Sequence, residues 1–96
     1  MELRYDESVD AAAVDVNGRI VPGTVDFTDV LDQDRNVKYD AEDRVLGYRF
    51  LNVRRYGVKL DDLEHRDELR AIFREAGFAE RDWGTPRPAP KLRART

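Results

Sequence analysis

The chain has 96 residues, no cysteine and a single histidine, with 41% hydrophobic and 39% charged residues. That length allows one domain with a modest core, the lack of cysteine excludes disulfides and thiolate chemistry, and no apolar run approaches the roughly 20 residues of a spanning helix. All 20 acidic residues precede residue 85, so residues 1–84 carry a net charge of -7, while Arg87, Lys91, Arg93 and Arg95 give residues 85–96 a charge of +4. Together with Pro86, Pro88 and Pro90, this shift divides the chain into a domain, 1–84, and a Pro-rich basic tail, 85–96. The MELRYDES N-terminus carries no basic-then-apolar leader, so the expected location is cytoplasmic, with no membrane partner.

In chain order, residues 2–5 (ELRY) alternate polar and apolar and predict a strand, followed by a turn at Asp6-Glu7-Ser8. Residues 9–16 (VDAAAVDV) mix helix-favouring alanines with the alternation of Ala12, Val14 and Val16. The Asn17-Gly18 pair that follows is a hairpin signal and favours strand. Pro22-Gly23 splits the next segment, leaving a strand around Val25, Phe27 and Val30. Residues 36–40 (NVKYD) predict another. Asp40-Ala41-Glu42-Asp43 predicts a turn in which Asp43 adopts positive φ. Residues 44–53 (RVLGYRFLNV) predict a long central strand, with Leu46, Tyr48 and Phe50 on one face and Val45, Leu51 and Val53 on the other.

The last element is a helix within residues 61–78, with Leu69, Ile72, Phe73 and Ala76 in one stripe. Asp61 or Asp62 is placed to cap its start, Asp61 with Glu64 as a capping box. Gly77 fits the position just past its end, and Phe78 then packs on Phe73. The whole predicts an α+β fold: an antiparallel meander of four or five strands with one C-terminal helix on one face.

Few residues in this chain suit catalysis. An EF-hand-like reading of Asp32, Asp34, Asn36 and Asp43 has Val37 where the loop needs Gly, so an acidic solvated loop is expected. His65 lies off the apolar stripe in the first helical turn and reads as a surface residue. We expect no enzyme, no metal and no cofactor. Arg54, Arg55, Tyr56 and Lys59, with the tail residues Arg87, Lys91, Arg93 and Arg95, form a candidate nucleic-acid surface. Leu46, Tyr48, Phe50 and Trp83 form a candidate protein-binding set. A single helix leaves one face of a doubly apolar strand uncovered, and Trp is a frequent interface anchor.

Three stretches carry a resemblance: Leu3-Arg4-Tyr5-Asp6; Asp10, Ala11 and Val14; and Tyr39, Asp40, Arg44, Val45, Gly47 and Phe50. Over about residues 1–53 the chain resembles the small bacterial and phage family called domain of unknown function 2283. Asp43 stands where that family often has Gly, and Ala12 where it usually has a larger apolar residue. The resemblance implies a small antiparallel β domain without established catalytic residues. Members are often encoded beside toxin-like proteins, which implies an antitoxin or partner-binding role. The expectation is a protein-interaction module that binds another protein or itself, as a homo-oligomer, through a sheet face or edge. The alternative is a nucleic-acid-associated protein.

Overall fold

The computed structural model describes residues 1–81. Strands β1 (Glu2–Asp6), β2 (Ala11–Asp15), β3 (Phe27–Asp32), β4 (Arg35–Tyr39) and β5 (Val45–Leu51) form one antiparallel sheet in the order β1-β2-β5-β4-β3. The order is sequential within β1–β2 and within β3–β4–β5. The departure from a chain-order meander is the pairing of β5 with β2, with Val14 opposite Tyr48 and Ala12 opposite Phe50. Two short helices follow, α1 (Val53–Tyr56) and α2 (Arg66–Glu75). The fold is therefore α+β with a five-stranded antiparallel sheet, as the patterning predicts.

One face of the sheet holds the core. Ala12 and Val14 of β2, Val37 of β4 and Tyr48 and Phe50 of β5 meet Leu69 and Phe73 of α2, and Val53, Val58, Leu60, Leu63 and Phe78 fill in around them. Phe50 and Phe73 meet edge to face at 5.2 Å between ring centres. Burying a side chain of that size contributes about 1.5–3 kcal/mol, so this aromatic contact between sheet and helix is a main support of so small a domain.

Helix α2 is shorter than expected at its start and as expected at its end. Asp61 and Asp62 do not cap it, because both carboxylates serve other partners. Asp62 receives the Arg35 guanidinium in a bidentate pair at 2.6 and 3.1 Å, and Asp61 accepts from Arg70 at 3.0 Å. His65 occupies the cap position without a side-chain capping bond. At the other end Gly77 has φ of 90°. There the Phe78 N–H donates to the Phe73 carbonyl at 2.9 Å and the Gly77 N–H to that of Arg74 at 3.0 Å. This is the Schellman arrangement, with the Phe78 ring 5.9 Å from that of Phe73. Leu69, Ile72 and Phe73 face the core, whereas Ala76 is exposed.

Two turn expectations have different outcomes. Asn17-Gly18 is a turn but not a hairpin turn, because β2 pairs with β1 and β5 and residues 17–26 run on as a loop. This loop folds back over the sheet: the buried Asp15 carboxylate accepts from Arg4 Nη1 at 2.5 Å and from the Ile20 N–H at 3.4 Å. Asp43 does adopt positive φ, 63°, in the turn closed by its own N–H to the Asp40 carbonyl at 3.0 Å. Its side chain is exposed. Asp43→Gly is therefore expected to be neutral or stabilising by at most about 1 kcal/mol in thermal unfolding; a clear loss of stability would contradict this reading.

Candidate interaction surface

The strand β3 is built unlike the other outer strand. On β1, exposed Glu2, Arg4 and Asp6 alternate with half-buried Leu3 and Tyr5, a charged edge that discourages pairing. On β3, five of six residues are exposed, among them Val30 at 61%, Phe27 at 44% and Leu31 at 37%. Phe27 lies on Tyr39 of β4, the rings stacked at 4.9 Å with 17° between planes, so one side of Phe27 is covered and the other is open. The register shifts between Val30 and Asp32, a bulge at Leu31. The charges are all of one sign: Asp29 and Asp32 lie in the strand and Asp26 precedes it. Asp32 pairs with Arg35 at 2.9 Å. Among the described residues no ion pair engages Asp26 or Asp29.

The face of the sheet away from the helices is not the apolar surface that the alternation of β5 suggests. Leu51 is there, half-buried, beside Gly47 and the exposed Arg49, but the register shift against β4 sets Val45 opposite Tyr39, where it packs on the core. Arg4, Ala13, Arg49, Asn36 and Val30 run in register across all five strands on this face. Val53 is not on it: the strand ends at Leu51, Asn52 turns the chain with φ of 56°, and Val53 enters the core as the first residue of α1. Apart from Val30 on the outer strand, this row is small, polar and cationic, so the uncovered apolar face expected of β5 is not there.

The candidate protein-binding residues accordingly separate. Tyr48 and Phe50 are buried under the helices, so their face is filled by the protein's own core. Leu46 is half-buried and lines a cleft of about 450 Å³ between the 17–24 loop and the 40–44 turn, beside Ile20, Val21 and Arg44. Arg44 on its rim is paired internally, with Asp40 at 2.9 Å and Glu42 at 3.2 Å. Trp83 and the tail cations Arg87, Lys91, Arg93 and Arg95 lie outside the described residues.

Arg54, Arg55 and Tyr56 are brought together in α1, but they are engaged within the domain. The Arg54 guanidinium lies over Phe78 at 4.7 Å and over Tyr5 at 5.4 Å; that of Arg55 lies over Tyr56 at 5.4 Å. Lys59 lends its carbonyl oxygen to Arg35 at 3.2 Å. These contacts hold α1 against β1 and the end of α2, and they occupy the aromatic faces on which a base would stack.

One acid that ties several segments together escaped the sequence reading except as one position in the family resemblance. Asp10 sits in the β1–β2 turn with φ of 52°. Its carboxylate accepts from the Tyr5 hydroxyl at 2.8 Å, the Arg54 N–H at 2.9 Å and the Arg55 N–H at 3.1 Å. Its carbonyl accepts from the Val53 N–H at 3.3 Å. Asn52 precedes α1 but sends its own side chain to Asp34 at 3.0 Å, so Asp10, over forty residues away, caps the helix in its place. Burial pushes the Asp10 carboxyl up, but the Arg54 N–H, the Tyr5 hydroxyl and the Arg55 N–H together hold it below the ordinary value.

His65 is not a surface residue: it is half-buried, with Nδ1 2.9 Å from the Tyr48 hydroxyl. Burial pushes that hydroxyl up to about 12, so Tyr48 stays protonated at neutral pH. The residues of the EF-hand-like reading are dispersed over separate elements. Asp32 ends β3, Asp34 lies in the β3–β4 turn, Asn36 is on β4 and Asp43 is in the next turn.

Compared with known proteins, the chain matches no family model, no curated protein and no solved structure. The likeness to domain of unknown function 2283 rests on the residues quoted above. None of the described helices is long and apolar enough to cross a membrane.

Proposed function

We propose that this protein is a non-catalytic interaction module that binds an extended, basic segment by strand addition along β3. The observation that carries the proposal is the make-up of that edge: an outer strand with exposed Phe27, Val30 and Leu31 and acids at 26, 29 and 32. An outer strand presents unpaired N–H and C=O groups to an incoming chain, and the flanking side chains set which chain is accepted. Asp26 and Asp29, which no ion pair engages among the described residues, favour a basic partner. The same charges oppose pairing of β3 with β3 of a second copy, because like charges across strands destabilise. Self-association by that route is therefore disfavoured, and the module acts on a different segment. In the antitoxin-like setting that the family resemblance implies, that segment belongs to a basic partner protein.

The test uses the full chain with Arg87, Lys91, Arg93 and Arg95 each changed to Gln, which removes the chain's own basic residues as competitors. A synthetic twelve-residue peptide with Lys at alternate positions is titrated against it by NMR. Chemical-shift changes are expected along residues 26–32, with roughly fivefold weaker binding when Asp26→Asn and Asp29→Asn are combined. Shifts that avoid β3, or equal binding of a peptide with Glu in place of Lys, would reject the proposal.

A further inference from the structure

The register of β3 against β4 sorts its side chains onto the two faces of the sheet. Phe27 pairs with Tyr39 and Asp29 with Val37, and Tyr39 and Val37 both belong to the packing of the core, so Phe27 and Asp29 lie on the helix side. Thr28 pairs with Lys38 and Val30 with Asn36, on the open side. The bulge then changes the count: from Val30 to Asp32 the strand β3 advances two residues while β4 advances one, from Asn36 to Arg35. Asp32 therefore stands opposite the buried Arg35, and their ion pair at 2.9 Å holds it on the helix side. In an unbulged strand residues 29 and 32 would point to opposite faces. The extra residue, Leu31, brings both acids of the strand to one side; Asp26 lies before the first of these pairs.

The open side beside this edge has the opposite sign. Lys38 stands next to Thr28, and Gly47, its partner on β5, carries no side chain. Arg49 follows on β5, opposite Asn36. Among the described residues no ion pair engages Lys38 or Arg49. The acids of this face, Glu2, Asp6 and Asp15, are on β1 and β2, beyond β5 as seen from this edge.

A strand added outside β3 meets these two sides at once, because its successive side chains alternate between the faces of the sheet. On the helix side its residues stand about 5 Å from the row of Asp29 and Asp32, one strand spacing away. On the open side they stand beside the uncharged Thr28 and Val30, with Lys38 two strand spacings off, about 10 Å. Charges at that distance interact in dilute salt, where the screening length is about 30 Å at 0.01 M, and are screened out at 1 M, where it is about 3 Å. A basic residue is thus attracted on one side of the incoming backbone and repelled on the other. Phe27 extends the attractive row: Tyr39 covers one face of its ring, and the open face accepts a cation.

We infer that β3 selects a two-faced partner strand, with basic residues at every second position on the helix side, opposite Phe27, Asp29 and Asp32, and uncharged residues between them on the side of Lys38. This selectivity rests on the interaction role proposed for β3 and names the sequence pattern of its partner. The bulge at Leu31 is the device that creates it, and Lys38 is the residue that rejects a uniformly basic or wrongly phased segment. Discrimination then comes from a repulsive element as well as an attractive one.

Two peptides of one composition test this against the full chain with Gln at 87, 91, 93 and 95: the alternating Lys peptide of the titration above, and one with the same residues but its Lys in adjacent pairs. In about 0.01 M salt the alternating peptide is expected to bind about threefold more tightly, and the preference should disappear near 1 M. Lys38→Glu reverses the charge on the open side and should bring the two affinities together in dilute salt, with the chemical shifts of the core residues unchanged as the check on folding. Equal affinities before that substitution would overturn the inference, and so would a preference that Lys38→Glu leaves as it was. The two ideas fail separately: equal binding of both peptides at residues 26–32 removes only the pattern, whereas shifts from neither peptide at those residues remove the interaction role itself.

Discussion

Asp10→Ala is expected to lower the unfolding free energy by about 2–3 kcal/mol, a shift in Tm on the order of 15 °C for a domain of this size. Three losses combine. The Arg54 and Arg55 N–H groups lose their capping acceptor, a change that costs about 1–2 kcal/mol at a helix start. The Tyr5 hydroxyl loses its acceptor. Ala must also adopt φ of 52°, which costs about 1 kcal/mol that Asp largely avoids. Asp10→Asn keeps one acceptor oxygen and the tolerance for positive φ, so it should lose less than half as much in urea unfolding. Equal losses for Ala and Asn would place the effect in the charge, and no loss for Ala would remove Asp10 from the framework.

The same residue sets a pH dependence. The Asp10 carboxyl is held below the ordinary value in the folded state, as is that of Asp62, which the Arg35 guanidinium lowers against the opposing effect of burial. Depressed folded values contribute stability above the unfolded carboxyl pKa of about 3.9, and this is lost as pH falls through the folded values. The stability gap between native protein and Asp10→Asn should accordingly be widest near neutral pH and narrow in acid below that point.

Gly47→Ala is expected to destabilise by about 2–3 kcal/mol for a different reason. A Cβ on residue 47 would lie 2.6 Å from the Val14 carbonyl oxygen on the neighbouring strand and 3.0 Å from Ile20 Cδ1. A flexible side chain can yield, but a carbonyl within the β2–β5 ladder cannot move without loosening the pairing that joins the two halves of the sheet. The companion Ile20→Ala distinguishes the two contacts: adding it to Gly47→Ala should recover little stability, because the tighter contact is with backbone. Full recovery would show that the loop, and not the strand pairing, bears the strain. Asp10 and Gly47 both belong to the residues that carry the family resemblance, and each has a physical task in the frame of the fold.

The sequence by itself determined what depends on near neighbours. Alternation marked the strands, the Gly77-Phe78 pair marked how α2 ends, and Asp40 to Asp43 marked a turn with its last residue in the left-handed region. These signals are local because backbone sterics and capping act within a few residues. The exclusions drawn from composition, such as disulfides, are of the same kind.

Only the tertiary structure decided which strand lies beside which, and from that everything about the surface. The apolar residues of β5 promised two covered faces, but the register shift against β4 turns Val45 to the core, and the left-handed turn at Asn52 carries Val53 there too. Asp61 and Asp62 are placed to cap by spacing, yet Arg70 of α2 claims Asp61 and Arg35, from across the fold, claims Asp62. Asp10 reads as one more acid in an acidic chain until β1–β2 brings it to the start of α1. The candidate edge is the clearest case: the residues around Phe27 and Val30 read as one more strand, and placement outside β4 is what leaves them exposed. Pairing between distant segments is decided by the sum of many weak contacts over the whole fold, which no short window of sequence contains.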